Sequence, residues 1–451
     1  MIVKRVSELK LLEDQYAIPG NQLVILYGRK GMGKTTLISQ FLKDKPAAYY
    51  YEGQECDHKL QLYRMNQQMK NSSGVELALE YQTMFSDYIG KQAEKAIIVL
   101  DEFHYIIKNS PEFSKTLELL GDEKHPVMFV LCSSSIRWVE NEMISSFGYS
   151  AAYISSYMKL KEFTFIDFVN RFPHSAVETC IHINAILGGI PEYLDEWQES
   201  RSIGENLKAI MLNKNSRLLM ATQQYLKLEL REPAVYNTIL SALSEGNRKL
   251  NDLYGKTGFS RAKISVYLKH LVQLDLVEKL IPLNEEGKEH VQKGLYRIKD
   301  NYFNFWYRFV FPNLSEIMLN QGDVVYEHKV VPALEKYIQE YFADVCTEYL
   351  KLMNLHERLP GKFLWWDRWY GKNGTIDILA HSEKGNYLIG KCLWEKRMAE
   401  RADYEDLLTL AQGAVREIEL IYLFSRSGFT EELRVISQGS ERLRLIGLEE
   451  L

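Results

Sequence analysis

An α/β fold, with a parallel sheet arranged around a phosphate-binding loop, is predicted by three stretches of the sequence. The apolar run Leu23 to Tyr27 passes through GRKGMGKT (Gly28 to Thr35) into the helix-like TTLISQFL. KAIIVLDEF (Lys95 to Phe103) reads as a buried strand ending in two carboxylates, and VMFVLCSSS (Val127 to Ser135) as another ending in hydroxyls. Open α/β sheets bind ligands at the carboxyl ends of their strands, which is where these polar ends would lie.

GRKGMGKT fits G-x-x-x-x-G-K-[ST] completely, with the strand before it and the helix after it that the motif needs. Gly28 and Gly33 let the backbone curl so that its N–H groups point inward. The result is an anion nest on a helix N-terminus, suited to the β- and γ-phosphates of a nucleotide. Lys34 would reach those phosphates as a point charge, and Thr35 would offer its hydroxyl to Mg²⁺. Gly31 and Thr36 complete the nucleotide-binding set. A plain glycine turn would rarely carry all four fixed residues in register. Asp101 is the expected Mg²⁺ holder, and Glu102 the base that polarises the attacking water. An apolar run ending in Asp-Glu is weak evidence alone and strong evidence beside a phosphate loop. Ser134, or Ser133, is placed to sense the γ-phosphate or hold the water. Satisfying a strand end explains these serines nearly as well.

Length and composition set the frame. With 451 residues the prior is about three domains, and 46% apolar with 25% charged residues is ordinary for a globular chain. A net charge of -5 argues against a uniformly basic nucleic-acid binder, though not against one basic face. Cys56, Cys132, Cys180, Cys346 and Cys392 show no paired or zinc-like spacing, which suits a reducing cytoplasm. No apolar run approaches the ~18 residues of a membrane span, and MIVKRVSEL lacks a signal-peptide core. A cytoplasmic protein without membrane association is expected.

Before the loop, Lys4 to Tyr16 has apolar residues at helical spacing, with Ser7 as the expected N-cap. Lys45 to Gly53 reads as a strand, and 66–92 as helices with a polar loop. From Arg231 the pattern changes to three amphipathic segments, VYNTILSALSEG, KLNDLYGKTGFS and RAKISVYLKHLVQLDLV, with a tight turn at Thr257-Gly258-Phe259. EKLIPL and GLYRIKD then read as wing strands joined by NEEGKEHVQK. This is a winged helix-turn-helix whose third helix offers Arg261, Lys263 and Lys269 as candidate contacts to double-stranded DNA. Residues 231–300 hold 12 Lys/Arg against 9 Asp/Glu, a local +3. A module that packs within its own chain fits that modest bias equally well. YRIKDNYFNFWYRFVFPN (Tyr296 to Asn313) is dense in aromatic rings and reads as a buried seam in preference to a base-stacking surface. Thr375 to Trp394 reads as strand, turn at Lys384-Gly385-Asn386, and strand. The charge-dense Glu395 to Asp406 reads as a solvated helix face.

Taken together, the phosphate loop, the acidic strand, CSSS and ILGGIPEYL (Ile186 to Leu194) resemble the archaeal-type ATPases, within the broad class of AAA+ and signal-transducing ATPases. The resemblance continues through REPAVYNTILSALSEGN, the aromatic stretch and LFSRSGFTEEL (Leu423 to Leu433). It implies an AAA+-type P-loop sheet over 1–155, a helical lid over 156–230 and a winged helix-turn-helix over 231–300. An aromatic seam and linker over 301–334 and a restriction-endonuclease-like PD-(D/E)XK domain over 335–451 complete the layout. It also implies that Arg5 lies near the adenine and that Gly189 and Pro191 belong to a lid motif facing the base. A helix C-cap followed by a proline stop accounts for the same residues. Relatives place an arginine in the stretch that here runs from Gly148 to Phe163, where none occurs, and neither Arg137 nor Arg171 can be assigned its role. Losing such a finger costs on the order of 10³ in rate, so slow, switch-like ATP turnover is expected. In the last domain Asp377 occupies the nuclease Asp position. The Glu-x-Lys position reads Lys391-Cys392-Leu393, and Ala343 replaces an upstream carboxylate. Sliding the frame toward Glu395 and Lys396 or Arg397 would turn side chains to the opposite strand face. A nuclease fold without nuclease activity is expected, kept for binding or packing. The overall expectation is an ATP- and Mg²⁺-dependent switch that meets DNA or a protein partner. Its rivals are an ATP-dependent nuclease and a nucleotide-binding regulator without turnover.

Overall fold

The computed structural model describes residues 5–73, 78, 80–110, 112–121, 124–280, 294–371, 374–412 and 414–451. It divides the chain into two compact units. The first runs to Glu162 and takes in Ile190–Glu192; the second comprises Phe163–Gly189 and Tyr193–Leu451.

The first unit is built on five strands, β1 (Gln22–Tyr27), β2 (Ala48–Glu52), β3 (Ala96–Asp101), β4 (Val127–Ser133) and β5 (Ile154–Lys159). Their order is β2-β3-β4-β1-β5, and every pairing is parallel. β3 and β4 are buried along their whole length, which is why their sequences are continuous apolar runs without alternation. Phe85, Phe103, Phe129 and Trp138 pack one face of the sheet. Because β4 lies between β1 and β3, its serine end comes between the phosphate loop and the acidic pair.

Two expectations need correction in this unit. The first helix runs Val6–Ala17 with Arg5, not Ser7, at its N-cap, because the Ser7 hydroxyl is turned to the Glu8 carboxylate. The boundary expected at 155 falls inside β5. That strand is an edge with alternating exposure and so carries no apolar run to announce it.

In the second unit, helices Pro233–Ser244, Leu250–Thr257 and Arg261–Gln273 form the helix-turn-helix. Gly258 ends the middle helix at φ 70°, a left-handed cap that suits glycine, and the Ser260 hydroxyl accepts the Lys263 N–H to start the third. β6 (Val277–Leu280) pairs antiparallel with β7 (Leu295–Ile298), and the expected wing loop lies outside the described residues. The aromatic stretch is core: Tyr302, Phe303, Phe305, Trp306, Tyr307 and Phe309 are at most 3% exposed. Its polar atoms are satisfied inside, with Trp306 Nε1 on the Leu219 carbonyl at 2.8 Å and Tyr307 OH on Asn237 at 2.6 Å.

The chain then enters the long helix Val331–Leu355 and a second sheet ordered β12-β11-β10-β9-β8. These are β8 (Phe363–Tyr370), β9 (Thr375–Ser382), β10 (Tyr387–Leu393), β11 (Ile418–Ser425) and β12 (Leu443–Gly447). The last three are mutually parallel and the first two antiparallel additions. The solvated-helix expectation for Glu395 to Asp406 is corrected. Its helix starts only at Arg401, Ala399 bridges to Phe429, and Asp403 is buried because Arg397 and Lys391 bring charge to it.

Candidate nucleotide site

The loop between β1 and the helix Lys34–Phe41 turns through Gly31 and Gly33, both near φ 85°, a region that side chains with a Cβ rarely adopt. A Cβ on Gly31 would also lie 2.5 Å from the Glu192 carboxylate and 3.1 Å from Ile190. The segment Ile190–Glu192 thus packs directly on the loop, and the Glu192 N–H bonds the Gly31 carbonyl at 3.2 Å. Pro191 sits in this segment, beyond the end of the preceding helix Val177–Leu187, and is the first residue of a short helix, Pro191–Leu194. Gly188 does cap the preceding helix, at φ 65°.

Lys34 is 6% exposed and its ammonium donates to the carbonyls of Gly28 (2.7 Å) and Arg29 (3.2 Å). Burial lowers its pKa below the ordinary lysine value, opposed by the carboxylates of Glu102 and Asp101. Thr35 and Thr36 follow on the first helical turn and are exposed. Thr35 Oγ1 donates to Asp101 Oδ2 at 3.0 Å, which unites the two halves of the site across 66 residues of sequence. Tyr50 OH donates to the same oxygen at 3.0 Å, and the Glu102 N–H holds Asp101 Oδ1 at 2.9 Å.

Glu102 has φ 47°, a left-handed conformation costing roughly 1–2 kcal/mol for a residue with a Cβ. That turn points its carboxylate along the sheet edge to the end of β4. There Oε2 accepts the Ser134 N–H (2.9 Å) and hydroxyl (2.8 Å). His104 Nδ1 lies 3.4 Å from the same oxygen and 3.0 Å from Ser133 Oγ. Burial, helped by Lys108 and Lys34, pushes the His104 pKa down to about 3, so the ring is neutral at ordinary pH. Of the two serines, Ser134 contacts Glu102 and Ser133 contacts His104.

Arg5 is fixed beside the loop by bonds to the carbonyls of Met32 and Lys161, both 2.9 Å, and to Glu8. Sequence reasoning missed Tyr50, His104 and Arg29. Arg29, a variable position of the motif, is 2% exposed and lies 3.9 Å from Glu162. Only His104 carried a signal, its place two residues after the acidic pair. Arg171 is engaged by Asp195 at 2.5 Å.

The other candidates lie in the second unit. Arg261, Lys263 and Lys269 are exposed on one helix. Arg261 stacks over Tyr254 and bonds Asn251, and Lys263 lies over Phe259. On the second sheet Asp377 accepts the Cys392 N–H at 2.9 Å, and Lys391 reaches Asp403 at 3.3 Å. Arg397 clamps the same Asp403, whose pKa is held down to about 2: burial opposes this, while Arg397, the Glu400 N–H and Lys391 outweigh it. Ala343 is buried in the long helix.

A glycine-bordered loop on a helix N-terminus, with its lysine, threonine and facing Asp-Glu pair in one place, is a P-loop nucleotide site of the ATPase type. Residues 2–197 match a family described as an ATPase domain predominantly from Archaea. Residues 237–279 match the arsR family of bacterial regulatory proteins, a helix-turn-helix, and 306–405 match archaeal and bacterial proteins of unknown function. An uncharacterised protein of Methanocaldococcus jannaschii is 27% identical over 385 residues, 84% of each chain. An ORC1-type DNA replication protein of Sulfurisphaera tokodaii is 29% identical over 124 residues, 24% of this chain and 30% of that one. Among solved structures, the Aeropyrum pernix ORC2 protein is 15% identical, covering 71% of this chain and 95% of its own, at a TM-score of 0.44. The Aeropyrum pernix ORC1 protein in complex with DNA is 15% identical, covering 74% and 95%, at 0.33.

Proposed function

We propose that the protein is a slowly hydrolysing ATP switch, and the bond between Thr35 and Asp101 is the observation that carries this reading. Both groups are hard oxygen donors, the type Mg²⁺ requires, and they meet at the loop that would take the phosphates. Bound there, the cation would offset charge on the β- and γ-phosphates. Gly31, Gly33 and Thr36 bring their backbone N–H groups to the same phosphates, while Gly28, whose own N–H donates to the Ser133 carbonyl at 3.2 Å, opens the turn that places them. Lys34 exchanges its loop carbonyls for phosphate oxygens, and Glu102 positions and polarises the attacking water. Ser134 restrains that carboxylate in the resting geometry. Both bonds fall on Oε2 and weaken the pull of the carboxylate on the water, which supports slow turnover. Arg5 and Pro191, each packed against the loop, are the groups assigned to the base side of the nucleotide. Phosphate release should fall by about 10²-fold or more in Glu102→Gln with ATP uptake retained. Equal, background rates in wild type and variant would leave a regulator that binds without turnover.

The helix bearing Arg261, Lys263 and Lys269 is the assigned contact to double-stranded DNA, supported by the exposure of all three cations and the helix-turn-helix match. For the carboxyl-terminal domain, assigned to 335–451 as restriction-endonuclease-like, the reading is binding without cleavage. Lys391 and Arg397 already neutralise Asp403, and Asp377 accepts the Cys392 N–H with one oxygen and has Lys391 where a second metal-binding carboxylate would be needed. Plasmid nicking with Mg²⁺ or Mn²⁺ that disappears in Asp377→Ala would reverse that. Among the described residues no helix is long and apolar enough to cross a membrane, and a cytoplasmic setting is the one proposed.

A further inference from the structure

The second unit contains a hollow of about 300 Å³ that nothing in the ATPase site uses. Its walls come from the turn after helix Pro233–Ser244, the end of β7, the aromatic segment and the first half of helix Val331–Leu355. Five cations line it, Arg248, Arg297, Lys299, Arg308 and Lys336, against three carboxylates. Most of this charge is already matched within the protein. Arg248 pairs with Glu340, Arg297 lies between Glu278 and Asp344, and Lys299 reaches Asp275 at 3.2 Å. Glu245 is taken by Lys256 at 2.6 Å. Among the described residues, the side chains of Arg308 and Lys336 have no ion-pair or hydrogen-bond partner. The acids of the lining are therefore spoken for, and two cations are left over.

The backbone supplies a second observation. Arg308 sits at the centre of a π-helical turn, Trp306–Val310, a rare geometry that recurs at functional sites. The other four residues of that turn are buried, at most 3% exposed, and Arg308 alone is exposed. The wide turn lets four apolar side chains enter the core while the guanidinium is delivered to the hollow. The size is at the lower end of small-molecule sites, roughly 300–1,000 Å³, and the lining is polar and cationic. A guanidinium gives planar paired donors and an ammonium a point charge, the combination that recognises phosphate.

We propose that this hollow binds a small phosphorylated molecule, with its phosphate held by Arg308 and Lys336. Such a ligand would bridge the helix-turn-helix and the long helix of the carboxyl-terminal domain, and so tie their arrangement to a metabolite.

The probe is inorganic pyrophosphate, measured by equilibrium dialysis on the full chain with excess ADP occupying the phosphate loop. Wild type should bind one pyrophosphate per chain. The double variant Arg308→Ala, Lys336→Ala should bind it about tenfold more weakly or worse, with ADP uptake and melting temperature unchanged. Arg308→Lys should recover part of the loss. Absence of binding when ADP is present, or equal binding by the double variant, would overturn the proposal. Displacement by malonate as readily as by phosphate would overturn the ligand class. A double variant that loses duplex DNA but keeps pyrophosphate would assign the two cations to nucleic acid and overturn the site.

Discussion

His104 offers a direct test of how the edge of the sheet beside the phosphate loop is built. Its ring is 4% exposed, wedged between Ser133 and Glu102, and burial holds its pKa at about 3 against an ordinary 6.5. The unfolded chain therefore binds a proton that the folded chain refuses. Stability from this residue is complete above pH 6.5 and is lost as pH falls toward 3. Between pH 7 and pH 5 one such group costs about 2 kcal/mol, because the unfolded ring titrates while the folded one stays neutral. For a unit of this size that corresponds to roughly 4–8 °C in melting temperature. Melting curves of wild type and His104→Gln at the two pH values isolate the term, since all other titrating groups are shared. The wild type should lose about that much more than the variant on acidification. Equal losses would show that His104 charges readily in the folded state, and the packing described around Glu102 would be wrong.

Other outcomes follow from the same geometry. Gly31→Ala should destabilise the first unit by roughly 1–2 kcal/mol from its left-handed backbone alone, with a further penalty from the Glu192 carboxylate 2.5 Å from the new Cβ. Adding Glu192→Ala should relieve only the second part, as read by differential scanning calorimetry. Lys263→Ala should weaken duplex binding similarly across sequences and reduce the slope of log K against log salt by about 1. An unchanged slope would remove the third helix from the DNA interface.

The candidate nucleotide site was legible in the sequence to the extent that its chemistry is local. Gly28 to Thr35 needs fixed residues within eight positions, and the runs before Asp101 and Ser133 are apolar because both faces of β3 and β4 are covered. What pairs across the sheet was not legible. The bond from Tyr50 to Asp101 depends on β2 lying beside β3, and the hold of Ser134 on Glu102 on β4 being inserted between β1 and β3. β5 escaped because an edge strand with one half-exposed face reads as loop. The return of Ile190–Glu192 onto Gly31 spans some 160 positions; the resemblance implied a lid facing the nucleotide from Gly189 and Pro191, but the contact with Gly31 itself could not be read from either stretch. In the second unit, the rings from Tyr302 to Phe309 announced their burial by density alone. Asp403, in a run of charges, gave no sign that two cations would draw it inside.

The reading as a whole rests on the phosphate loop taking up nucleotide. Calorimetric titration of ATP with Mg²⁺ into the full chain and into Lys34→Ala is the measurement that reaches it most directly. Wild type should bind one ATP per chain, and the variant should bind at least about tenfold more weakly, because it loses a buried charge-assisted contact to the phosphates. No heat of binding in folded wild type, or the same affinity in both proteins, would contradict it.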